Sequence, residues 1–221
     1  MEDKLAPIGT YFFSSSKVMG RDKLLPEEQP FVKKACKKRV GDFATGRYCA
    51  RRALAGLGLP ECAITVAPNR APNWPNGIVG SITHTDGFVA AVVGRAHDYR
   101  SVGLDSQRVK QGRITPGMAR LILQPSEFPL VDSGERDERL NLVFCAKESL
   151  YKCLNPLVNK FFGFECARVV SVDDRKRKFV IELTEDLSAD YGKGFRLAGQ
   201  YVVNEGVLTT LLYLTSSGNK C

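Results

Sequence analysis

Apolar residues recur at helical spacing from Phe31 to Leu54, through Val32, Ala35, Cys36, Val40, Phe43 and Ala50. Acids and prolines at 26–30 open this run, and Gly56, Gly58 and Pro60 close it. The pattern predicts one long helix, with Gly41 and Gly46 as the points where it can break in two. A second run, Leu140 to Leu154, carries Val143, Lys147, Leu150, Tyr151 and Leu154 along one side, and Pro156 is expected to stop it. Thr115 and Pro116 read as N-cap and first residue of a shorter helix reaching about Leu123. Residues 125–139 read as polar and loop-like at first.

Period-two or β-type runs lie at Phe12–Ser16, Ile64–Val66, Gly87–Val93, Ser101–Asp105 and Phe179–Leu183. A terminal hairpin is expected from 195–203 and 207–214 around Asn204-Glu205-Gly206. Residues 87–93 and 101–105 are separated by the polar stretch 94–100, which predicts a hairpin with a longer loop. That hairpin would have His84 at its entrance and Asp105 at its exit, close in space. Residues 69–77 form a turn-rich loop around the chain's only tryptophan, Trp74, more often a packing anchor than a ligand stacker. The aromatic loop Lys160–Phe164 is either a core plug or a partner-binding patch. Both halves combine helix with short strands. A two-lobed α/β or α+β protein with a cleft between the lobes is the expectation.

The net charge of +8 favours anionic partners, and the excess is dispersed through the chain, unlike a basic tail. The seven cysteines, Cys36, Cys49, Cys62, Cys145, Cys153, Cys166 and Cys221, form no Cys-x-x-Cys pair, so neither a zinc site nor a disulfide framework is indicated. Met1–Lys4 leads into no long apolar stretch, and no apolar run is long enough to span a bilayer. A cytoplasmic, reduced chain without membrane or nucleic-acid partners is expected, and a monomer.

Two constellations bear on chemistry. Arg39, Phe43, Arg47 and Arg51 fall at i+4 steps, as either a solvated basic face or a phosphate clamp. Phe144, Glu148 and Lys152 share another helical flank, where a surface Glu–Lys pair is the bland reading. Asp105 and Gln107 point to the same side of an extended strand. With Glu148 they offer the hard oxygens that suit Mg²⁺ working on a pyrophosphate.

Gly-Ser-Ile-Thr-His at 80–84, Val-Gly-Leu-Asp at 102–105 and Phe-Cys-Ala-Lys-Glu-Ser-Leu-Tyr-Lys at 144–152 together resemble the signatures of 4′-phosphopantetheinyl transferases. The likeness is to the branch that activates siderophore, non-ribosomal peptide and polyketide synthases. Residues 39–51 and Ala-Pro-Asn-Trp-Pro at 71–75 resemble that branch too, and the likeness spans roughly residues 25–165. It implies an α+β fold of two similar α/β-type lobes, 1–106 and 107–221, related by a pseudo-twofold, with coenzyme A between them. It implies Mg²⁺-dependent transfer of the phosphopantetheine arm from coenzyme A to a serine of an acidic carrier protein, releasing adenosine 3′,5′-bisphosphate. By position, Asp105, Gln107 and Glu148 match the metal ligands. Glu148, or a water it holds, would take the serine proton, and Lys152 would neutralise phosphate charge. Arg39, Arg47, Ser81 and His84 match coenzyme A phosphate binders, with Asp105 and Lys152 in the same site.

Many relatives have Asp-x-Glu where this chain has Asp105-Ser106-Gln107, so the middle ligand is a neutral amide or is replaced by water. Two rivals remain in play: a metal-dependent hydrolase of coenzyme A or nucleotides, and a basic nucleic-acid-binding module. Against the second, no RNA or DNA motif is present.

Overall fold

The computed structural model describes residues 5–110, 112, 114–132 and 135–217. Met1–Lys4 and Cys221 lie outside them. Strands β1 (Thr10–Ser15), β5 (Phe88–Arg95) and β4 (Ile78–Thr85) form one antiparallel sheet in the order β1-β5-β4. A second sheet runs β6-β10-β9-β8-β7, from Tyr99–Arg108, Val207–Thr215, Arg196–Asn204, Lys178–Leu183 and Ala167–Asp173. Two short strands, β2 (Thr65–Val66) and β3 (Pro72–Asn73), pair beside the first sheet. Helix α1 (Lys37–Gly56) packs on the first sheet. Helices α2 (Pro116–Ile122), α3 (Phe128–Asp132) and α4 (Arg136–Val158) belong with the second, α4 lying across β6 and β10. This is a mixed α+β fold. No helix among the described residues is long and apolar enough to cross a membrane.

The expected long helix is shorter at its start. Residues 29–32 form a single 3₁₀ turn, Cys36 is extended, and α1 begins at Lys37. The cause is Glu28. Its fully buried carboxylate pairs with Arg51 at 2.7 Å and accepts from the N–H of Leu25 and Ile64. One continuous helix would hold residues 28 and 51 about 35 Å apart, by 1.5 Å rise per residue. The chain therefore has to double back. Gly41 and Gly46 lie within α1 without breaking it.

The expected 87–93/101–105 hairpin does not form. β5 pairs with β4 and β1, and β6 pairs with β10 in the other sheet. The tight connection is Asp86-Gly87, which joins Thr85 directly to Phe88 and makes 78–85 a strand. Pro156 does not stop α4, which runs to Val158 and is closed by Asn159 in the left-handed conformation. Residues 125–132, expected as loop, form a 3₁₀ turn and α3, with a capping box between Gln124 and Glu127. Strand β7 was not expected at all. The Thr115 cap is observed, accepting from the Met118 N–H at 3.3 Å. So is the terminal hairpin, whose turn residues Glu205 and Gly206 both have positive φ, as such two-residue turns require. The six described cysteines are free thiols.

Candidate active site

A cleft of about 640 Å³ opens between α1 and β4 on one side and α4 on the other, a size that takes a nucleotide-like ligand. Arg39, Asp42, Phe43, Gly46 and Arg47 line it from one face of α1, at i, i+3, i+4, i+7 and i+8. This flank is not the solvated basic face of the bland reading. Arg47 is 6% exposed, donates from Nε to Ile64 O at 2.5 Å and from Nη2 to Thr65 O at 3.3 Å, and lies 4.1 Å over the Phe43 ring. Burial lowers its pKa to about 10, with Glu28 opposing, so it keeps its charge at neutral pH. Arg51 is spent on Glu28 and belongs to the scaffold, while Arg39 is exposed at the mouth.

Alternation along β4 separates two jobs. Gly80, Ile82 and His84 face the cleft and α1; the hydroxyls of Ser81, Thr83 and Thr85 are buried on the other face, although Ser81 still borders the cleft. Gly80 is bare because the Trp74 ring rests on it: a Cβ there would meet the indole at 2.6 Å. Trp74 is thus a packing anchor for its loop and also part of the cleft wall. His84 is exposed at its edge, yet desolvation by the surrounding protein lowers its pKa; Asp42 opposes this, and Lys152, Arg39 and Lys38 add to it. The imidazole is therefore largely neutral at pH 7.

Behind the cleft, β4 and β6 run side by side without a backbone ladder. The hydroxyls of Ser81, Thr83 and Thr85 accept instead from the N–H of Leu104 (3.0 Å), Ser106 (2.9 Å) and Arg108 (3.3 Å). Three hydroxyls at i, i+2 and i+4 thus satisfy a strand edge that would otherwise be buried unpaired.

Helix α4 sits directly on β6 because of Gly103. A Cβ there would fall 2.0 Å from Ser149 O and 2.7 Å from Cys153 N. That close approach brings Lys152 onto Asp105, two residues along the same face of the strand. Lys152 Nζ donates to Asp105 Oδ1 at 2.7 Å, Leu104 O at 2.9 Å and Ile82 O at 3.5 Å. In place of the bland reading, a surface pair with Glu148 on the same helix, Lys152 makes this ion pair across elements. Asp105 is 5% exposed, and its Oδ2 is buried with no hydrogen-bond partner. Glu148 is half-buried, and its pKa is raised by burial and by Asp105, with Lys152 opposing. Gln107 lies two residues beyond Asp105 on β6, half-buried and outside the cleft lining.

Arg39, Arg47, Ser81, His84 and Lys152 therefore line one cleft, and Lys152 joins it to the Asp105–Glu148 pair. The sequence reading left out Arg70, Arg100 and Tyr151 in the lining and gave no role to Thr83. Their signal was weak: an arginine in a turn-rich loop, one at a strand start, a tyrosine on the apolar side of a helix, and a threonine between two named motif residues. Lys147, in the same helix signature, is structural. Its ammonium is buried on Glu127 (2.7 Å) and the carbonyls of Ile122 and Phe164. The aromatic loop divides, Phe162 buried and Phe161 80% exposed, with both rings against Tyr151.

A cation-lined cleft leading to two carboxylates and a lysine is equipped for phosphoryl chemistry on a polyanionic substrate. Comparison with known proteins is specific. The pattern of the 4′-phosphopantetheinyl transferase N-terminal domain matches residues 27–94, and that of the 4′-phosphopantetheinyl transferase superfamily matches 101–204. The 4′-phosphopantetheinyl transferase PptT of Mycobacterium tuberculosis is 35% identical over 201 residues, covering 86% of each chain. Npt of Nocardia iowensis is 38% identical over 170 residues, 76% of this chain and 71% of the relative. Enterobactin synthase component D of Salmonella typhi is 28% identical over 163 residues, 73% and 67% of the two chains. The chain belongs to the 4′-phosphopantetheinyl transferase superfamily, in the branch of these relatives. It is an enzyme that transfers phosphopantetheine groups.

Proposed function

We propose that the enzyme moves the 4′-phosphopantetheine arm of coenzyme A onto a serine hydroxyl of an acidic acyl or peptidyl carrier protein. The observation that carries this reading is Asp105 Oδ2, a buried carboxylate oxygen with no protein partner, next to Lys152 and Glu148 and behind an arginine-lined cleft. An orphaned buried oxygen is costly unless a ligand completes it. Neither Asp105 nor Glu148 lines the cleft itself, but two carboxylates beside it suit Mg²⁺, which seldom has an all-protein cage and takes water and substrate phosphate as its other ligands. Asp105 and Glu148 would hold the ion, with Gln107 giving an amide oxygen or a hydrogen bond to a bound water. When bound, the ion would offset negative charge on the pyrophosphate.

The chain's own residues do the rest. Arg39, Arg47 and His84 bind and orient the phosphates of coenzyme A, with Ser81 at the border of the cleft and its hydroxyl on the Leu104 N–H. Glu148 accepts the serine proton as general base. The serine oxygen bonds to the β-phosphorus, the bond to the bridging oxygen breaks, and adenosine 3′,5′-bisphosphate leaves. Lys152 places its ammonium beside the leaving phosphate. The two sheets with their helices act as the two lobes, divided between β5 and β6, ahead of the expected boundary at 106, with β6 at the seam.

The test is incubation with coenzyme A, Mg²⁺ and an apo carrier protein, followed by intact mass. A gain of one phosphopantetheine is expected, abolished by EDTA. Consumption of coenzyme A with no mass gain would replace the reading with the hydrolase.

A further inference from the structure

The N–H and O–H donors on Asp105 come from one side, and the buried Cys145 thiol lies beside the carboxylate. Thr83 is fully buried on β4, and its Oγ accepts the Ser106 N–H at 2.9 Å. A hydroxyl has one proton, and this one is donated to Asp105 Oδ1, 3.2 Å from the Thr83 oxygen. Lys152 Nζ reaches the same oxygen at 2.7 Å. Both donors fall on Oδ1, and Oδ2 receives none.

We propose that Thr83 is a positioning residue that fixes the rotation of the Asp105 carboxylate, so that Oδ2 is always the oxygen presented to the metal. Without the hydroxyl proton, Lys152 would be the one strong donor left on the group, beside the weak Cys145 thiol. A single ammonium can straddle both carboxylate oxygens and so compete with the ion for Oδ2. The backbone contact from Ser106 makes the device directional. It uses the acceptor side of the hydroxyl and leaves the proton no other task. Partners that orient a ligand in this way commonly change metal affinity by about 10–100-fold when removed.

The same strand supplies its own control. Thr85 accepts from Arg108 N–H in the same seam but touches no carboxylate. Thr83→Val and Thr85→Val each leave one seam N–H unpartnered, so both should lower the melting temperature. Only Thr83→Val should disturb Asp105.

The experiment is calorimetric titration of Mg²⁺ into protein saturated with coenzyme A, with no carrier protein present, so nothing turns over. Thr83→Val should bind Mg²⁺ about 10-fold more weakly, while Thr85→Val and Thr83→Ser, which keeps the hydroxyl, should bind it as the wild type does. If Thr83→Val does not fold, Thr83→Cys, with a weaker donor of similar size, carries the same expectation. Unchanged binding in the Thr83 variant, or an equal loss in Thr85→Val, overturns the proposal. It rests on the metal reading above: wild-type protein that binds no Mg²⁺ removes both, whereas normal wild-type binding with an unaffected Thr83 variant removes only this one.

Discussion

The arginine wall of α1 and the carboxylate seam between β6 and α4 lie side by side and are built on opposite plans. The wall is an open cleft whose cations face solvent or sit at its lining, with Arg39 exposed and Arg47 anchored by two carbonyls. The seam is buried, and nearly every polar atom in it already has a partner, apart from Asp105 Oδ2. A wall of this kind grips a large anion similarly before and during reaction, which changes KM more than kcat. A seam with one unsatisfied oxygen is preorganised, and its value is realised where charge develops. Binding and chemistry are thus assigned to different layers of the same site.

The largest expected effect lies in the seam. Asp105→Asn keeps the shape and removes the charge, and should lower kcat by at least ~10³-fold, about 4 kcal/mol. Stopped-time mass analysis with a melting curve checks that the protein is folded. A loss below ~10-fold would move the metal elsewhere. Glu148→Gln should lose at least ~10²-fold in kcat as base and ligand. Because burial raises the Glu148 pKa, the acid limb of kcat/KM should lie above the usual glutamate range. Rate should fall as pH drops through that raised value. Added Mg²⁺ should move the limb downward, since ion and proton compete for the same oxygens. A limb at the ordinary glutamate value, insensitive to Mg²⁺, would take Glu148 out of the base role.

The mildest seam variant is Gln107→Ala, expected to lose ~3–10-fold, as a residue acting through a bound water does at the low end. Gln107→Glu should lower the Mg²⁺ concentration for half-maximal rate by adding a charge beside the ion. A Gln107→Ala as inactive as Asp105→Asn would make the amide an essential ligand.

Much of the site was legible because its residues sit in local patterns. The i+4 steps of α1 placed Arg39, Phe43 and Arg47 on one face, and the i, i+2 relation of Asp105 and Gln107 follows from any strand. What could not be read were choices between distant partners. Nothing near Ser101–Asp105 says that β6 joins β10, a hundred residues later, in preference to β5. Helix spacing allowed Lys152 to meet Glu148, but Gly103 lets α4 come close enough for Lys152 to take Asp105 instead. Glu28 and Arg51 shortened α1 through a contact between residues that one straight helix would have kept apart. The Ser81-Ile82-Thr83-His84-Thr85 alternation was within reach of a period-two reading, once 78–85 is recognised as a strand by its Asp86-Gly87 turn.

The division between wall and seam is tested most directly by calorimetric binding of coenzyme A in metal-free buffer to wild type, Arg47→Ala and Asp105→Asn. Arg47→Ala should bind about 10-fold more weakly, roughly 1.4 kcal/mol, the scale of a lost charge-assisted phosphate contact. Asp105→Asn should bind as tightly as wild type or tighter, because a negative charge near the pyrophosphate has been removed. Weakened binding in Asp105→Asn with undiminished binding in Arg47→Ala would contradict the account.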